Sequence, residues 1–146
     1  MYAFINGMGT IPYAMSKAAV EQLGRGLRVE LADHGVSVLT AYFSLVQTDM
    51  IARGVDEDPV VLDLLGTQPG PLLKRITPAA AATAIADGLE SRSARVIRPA
   101  RWRPVSALRG LLGPALDARL VTDRRILDLL ARLDERPARP AQEGKP

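Results

Sequence analysis

The sequence predicts an α/β protein, with part of a parallel sheet followed by amphipathic helices. Two observations predict it. A long helical pattern (13–34) runs into the short apolar stretch VSVLTAYF (36–43), and a second helix, opened by Thr77-Pro78, runs into ARVIRPA (94–100). The first stretch is rich in β-branched and aromatic residues without polar alternation, as in a strand covered on both faces. Helix followed by strand, twice over, is the crossover order of a parallel sheet.

The first helix opens at Pro12, whose missing N–H costs nothing in a first turn. Ala19, Val20, Leu23, Leu27 and Leu31 recur at three- and four-residue steps and predict one buried stripe. Gly24 and Gly26 each weaken a helix by about 1 kcal/mol relative to alanine, which predicts close packing on their face. His34-Gly35 supplies the C-cap. SLVQTDM (44–50) leaves the strand as a loop. Residues 51–75 hold the acidic run Asp56-Glu57-Asp58 and the breakers Gly66 and Pro69-Gly70-Pro71, so they read as a mobile insertion with a short helix at 59–65. Thr77 is placed to cap the next helix, with Pro78 at its first position.

From residue 101 two amphipathic helices follow, the second with Ile126, Leu127, Leu130 and Leu133 on one stripe. Trp102, Leu108, Leu111, Leu112 and Leu116 stand among arginines. They suit packing on the domain or on another subunit, with a membrane interface as the alternative. The last residues, 137–146, read as a disordered tail. The division is therefore 1–100, a helical extension at 101–136, and the tail.

Composition narrows the chemistry. The chain of 146 residues has no cysteine and one histidine, His34, which excludes disulfides, a thiolate nucleophile and Cys-based zinc sites. No metal site is expected. No run of about 18 apolar residues predicts a transmembrane helix, and MYAFINGMGT lacks the pattern of a signal peptide, so a cytoplasmic protein is expected. Residues 1–90 carry 6 Lys and Arg against 10 Asp and Glu, and residues 91–146 carry 13 against 6. The basic end lacks interleaved aromatics and any recognition motif. It reads as solvated helix faces rather than a nucleic-acid surface.

Tyr13 and Lys17 lie four apart at the head of the first helix, close enough to interact. A phenol is a poor proton donor or acceptor at neutral pH, and a neighbouring ammonium that stabilises the phenolate makes acid–base work feasible there.

Around that pair stand three blocks: Pro12-Tyr13-Ala14-Met15-Ser16-Lys17-Ala18-Ala19, the helix end with His34-Gly35-Val36, and the loop ending Thr48-Asp49-Met50. Over roughly residues 4–50 the chain resembles the short-chain dehydrogenase/reductase family. The resemblance implies a Rossmann-like, doubly wound parallel sheet, of which this chain carries the C-terminal half. Tyr13 would be the general acid/base, and Lys17 would stabilise its phenolate and hold the nicotinamide ribose. Ser44, Val46 and Thr48 on the loop after the strand would contact the cofactor, NAD or NADP. Ser16 has no catalytic role. The substrate would be a small carbonyl or alcohol, residues 51–75 the substrate lid, and the Tyr13–His34 helix the pairing face of a homo-oligomer. Phe43-Ser44 replaces the family's usual Pro-Gly. Gly7-Met8-Gly9 reads as a substrate-side loop, not the phosphate-binding turn, which is expected upstream of Met1 together with the catalytic serine. The expectation is thus a truncated oxidoreductase. The alternative is a non-catalytic remnant that acts as an oligomerisation module.

Overall fold

The computed structural model describes Asn6 and residues 8–135. Helix α1 (Ile11–Glu30) carries Pro12 in its first turn and ends at Leu31. A single 3-10 turn (Ala32–His34) follows, closed by Gly35 in the left-handed conformation (φ 66°). The helix therefore stops short of the predicted 34, because the tighter turn takes over its last carbonyls.

Strand β1 (Thr40–Phe43) pairs in parallel with β2 (Arg95–Arg98), from Thr40 opposite Arg95 to Phe43 opposite Arg98. The Thr40 amide donates to the Ala94 carbonyl and the Ser44 amide to the Arg98 carbonyl, both at 3.1 Å. β1 is shorter than the predicted 36–43. Among the described residues the approach segment pairs with no strand; it is tied by Arg92, whose guanidinium donates to Ser37 Oγ (2.9 Å) and the Gly35 carbonyl (2.5 Å). Coverage on both faces is also corrected: Tyr42 is buried while Ala41 is exposed. Among the described residues the protein is mostly helical around this two-stranded sheet.

The 51–75 segment is more ordered in its secondary structure than a single short helix. Helix α2 (Asp49–Ile51) continues into a π-helical turn (Ala52–Asp56), and α3 (Pro59–Gly66) and α4 (Gly70–Leu73) follow. Asp58 caps α3 by accepting from the amides of Val60 (3.0 Å) and Val61 (3.2 Å). Ile76 then bridges Val46, and α5 (Pro78–Glu90) starts from Thr77, whose hydroxyl accepts from the Ala80 amide as predicted.

α6 (Trp102–Leu120) and α7 (Arg124–Asp134) complete the chain's described part. The predicted tail (137–146) lies outside the described residues, as does Gly7. Among the described residues two clusters form the core. Tyr42, Ile97 and Trp102 pack with Leu72 and Val105, so the sheet, α4 and α6 meet there. Leu64, Ile126 and Leu129 pack with Met8 and Leu133, joining α3, α7 and the loop before α1. On α7 the buried face corrects the predicted stripe: Leu129 is inside and Leu127 is exposed. The three- and four-residue steps run 126, 129, 130 and 133, and Leu127 falls off that face.

The largest correction concerns α1. Its predicted buried stripe is mostly open: Val20 is 56% and Leu23 60% exposed, Ala19 is exposed, and only Leu27 and Leu31 are half-buried. The helix instead approaches β1 through Gly24, where an added Cβ would sit 2.6 Å from Thr40 Oγ1. Gly26, also expected at a close contact, has no described residue outside its own helical turn within 4 Å of an added Cβ.

Candidate active site

A cleft of about 640 Å³ opens beside the sheet. α1 supplies one wall, α5 another, and β1 with the loop after it forms the floor. Leu65, Gln68 and Leu72 of the 51–75 segment face it from a further side. All five residues singled out from the sequence, Tyr13, Lys17, Ser44, Val46 and Thr48, line this one cleft.

α1 places Tyr13 and Lys17 one turn apart on the same face. The Lys17 ammonium lies 4.9 Å from the centroid of the Tyr13 ring, a cation–π contact. Tyr13 is 40% exposed and so accessible from the cleft. Ser16 donates its hydroxyl proton to the Tyr13 carbonyl (2.7 Å), a local helical contact.

The loop residues are held differently from one another. Ser44 Oγ donates to the Leu72 carbonyl (3.2 Å), and Trp102 Nε1 donates to that same oxygen (3.2 Å). Ser44 therefore commits its proton to α4. Val46 is fixed by its bridge to Ile76, and the Gln47 amide donates to the Ile76 carbonyl at 3.0 Å. Thr48 Oγ1 accepts from the Ile51 amide (3.4 Å) as the cap of α2, an arrangement that leaves its own hydroxyl proton for another acceptor. The 51–75 segment is closed on itself by Arg75, whose Nη1 donates to Asp56 Oδ2 (2.7 Å) while Nη2 engages Oδ1. The Arg75 hydrogen bonds hold the Asp56 carboxyl below its usual range.

Sequence reasoning missed three residues. Glu21, one turn beyond Lys17, is 6% exposed and lines the cleft. Its Oε1 accepts from Arg109 Nη1 of α6 at 2.5 Å. The Tyr42 hydroxyl, on β1, donates to the same carboxylate, and burial, followed by the negative charge of Glu21, pushes the Tyr42 phenol up. The i+4 step from Lys17 is the signal that could have found Glu21. Arg109 stands 88 positions away from it, with no local pattern to mark the pairing.

Residues 1–58 match the family model described as short chain dehydrogenase. That N-terminal part of the chain is related to the short-chain dehydrogenase/reductase family, whose members are typically oxidoreductases that use NAD(P). The match ends at the residue that caps α3, so α3–α7 and β2 lie beyond it. No curated protein and no solved structure matches the chain.

The residues present fit the nicotinamide-ribose half of such a cofactor. The cleft is within the size range of ligand sites. It brings an ammonium, an accessible phenol and a hydroxyl with a proton to donate to one apolar-walled space.

Proposed function

We propose that this cleft serves NAD(P)-dependent oxidoreduction of a small carbonyl or alcohol, with β1 and β2 as neighbouring strands of a Rossmann-like sheet. The observation that carries the reading is the convergence of Tyr13, Lys17 and Thr48 in one cleft, within the part of the chain related to the family. Bound NAD(P) would donate or accept the hydride. Lys17 and Thr48 would hold its nicotinamide-ribose end, with Val46 and Ser44 shaping the wall. The Tyr13 hydroxyl would give its proton to the carbonyl oxygen in reduction and take one from the alcohol in oxidation. The Lys17 ammonium over the Tyr13 ring would supply the neighbouring positive charge. Residues 51–75 would act as the substrate lid and exclude water.

Tyr13→Phe tests this. It is expected to lower turnover of the full chain by about 10²–10⁴-fold, the usual worth of a general acid–base. Circular dichroism and nucleotide binding, read by NAD(P)H fluorescence, should be unchanged. Unaltered turnover would refute the role of Tyr13, and no binding of either nucleotide would refute the reading as a whole.

A second reading, an association module, is favoured by one observation: the face of α1 with Met15 (67% exposed), Val20 and Leu23 is open. Self-association through that helix without nucleotide binding would favour it over catalysis.

A further inference from the structure

We propose that Arg109 is a positioning residue of the cleft: by holding the Glu21 carboxylate it keeps that carboxylate off Lys17 and leaves the Lys17 ammonium on the Tyr13 ring. The proposal rests on Tyr13 and Lys17 as the working pair and assigns a part in their arrangement to α6, outside the matched residues.

Tyr13, Lys17 and Glu21 stand at steps of four along α1, and all three line the cleft. Lys17 therefore has two natural partners, an aromatic face one turn before it and a carboxylate one turn after it. A Lys–Glu pair at this spacing and an exposed cation–π contact are of similar, small strength. A third group decides between them. Among the described residues no ion pair joins Lys17 to Glu21, and the ammonium sits over the ring at 4.9 Å. Glu21 is occupied elsewhere, by the Arg109 guanidinium at 2.5 Å and by the Tyr42 hydroxyl.

Burial makes this division stable. Glu21 is almost wholly enclosed, and an enclosed carboxylate takes the strongest hydrogen-bonding cation in reach. Arg109 comes from another helix and satisfies it without drawing on α1. Without that guanidinium, two cations of α1 stand one turn from Glu21: Arg25, which donates to Gln22 Oε1 (3.0 Å) and lies outside the cleft, and Lys17, which lines the cleft beside the carboxylate. A turn of Lys17 toward Glu21 would strip the phenol of its neighbouring charge.

The test uses NMR of the full chain with ¹³C-labelled lysine, with no nucleotide or substrate added. Stacking over Tyr13 displaces the Lys17 ε-methylene signals upfield, and Tyr13→Leu identifies that displacement by removing it. Arg109→Gln is expected to abolish it, Arg109→Lys to keep it, and the double variant Arg109→Gln/Glu21→Gln to restore it, because no carboxylate then competes for Lys17. A merely structural role for Arg109 would leave the double variant without the displacement. The proposal is overturned if Arg109→Gln retains it or the double variant fails to recover it. Unfolding of Arg109→Gln overturns it as well, since a Glu21 able to switch to Lys17 is not left unpaired. The readout needs no turnover, so a chain that shows this pattern yet binds no nucleotide would refute the proposed function alone. A chain that turns over without the pattern would refute this inference alone.

Discussion

Gly88 sets the distance between α5 and β2, and its replacement by alanine yields a prediction with a sign. The glycine is buried on α5. A Cβ built there would lie 2.6 Å from Val96 Cγ2 and 3.1 Å from Leu39 Cδ2. Carbon atoms at rest sit about 3.5–4.0 Å apart, so the helix has to retreat by roughly an ångström or Val96 has to leave its rotamer. Valine is stiff at χ1, which closes the cheaper route. Overpacking of this kind costs about 1–3 kcal/mol. Alanine in a helix interior recovers about 1 kcal/mol of that. The expected net loss is therefore about 1 kcal/mol for Gly88→Ala, read as a lower urea midpoint at unchanged slope. Gly26→Ala is the control, because among the described residues nothing beyond its own helical turn lies within 4 Å of its added carbon. It should raise stability by about 0.5–1 kcal/mol through the helix term alone. A Gly88→Ala chain as stable as the parent, or a Gly26→Ala chain less stable than it, would refute this account of the packing.

Two further outcomes follow from the polar contacts. The Tyr42 phenol is held above its usual value, so its contribution to stability is full below about pH 10 and is lost as pH rises through the folded-state value. Tyr42 should ionise later than an ordinary phenol in an alkaline absorbance titration, and Tyr42→Phe should remove that late component; an unchanged titration would contradict the burial argument. Asp123 accepts from the amides of Arg125 (3.1 Å) and Ile126 (3.3 Å) at the start of α7, so Asp123→Ala should cost about 1 kcal/mol in thermal or urea unfolding.

How much of this was readable in the chain depends on the range of the interaction. The Thr77-Pro78 start of α5 is local and was legible; Gly35 was legible as a left-handed stop, but it closes the 3-10 turn, while α1 itself ends earlier, at Leu31. The contact of Tyr13 with Lys17 was legible because both groups lie within one helical turn. The length of β1 was not, since a strand extends only as far as its partner, and that partner lies more than fifty residues on. The fate of the α1 stripe was not legible either. Periodicity identifies an apolar face but not what covers it, and in this structure Val20 and Leu23 are open. On α7 the face was legible at Ile126, Leu130 and Leu133, but Leu127 was taken into it in place of Leu129, which is equally apolar and packs against Leu64. Arg109 and Glu21 meet through the fold alone.

The shared oxygen of Leu72 gives the molecule an optical signal of its own. The chain has one tryptophan, and that residue's indole N–H is bonded to the α4 carbonyl that also receives Ser44. Any movement that lifts α4 from the cleft must break this bond and admit water to an indole that is now 7% exposed. Emission from Trp102 is thus a single-wavelength gauge of whether the cleft is shut, readable in an unlabelled chain while a ligand is added.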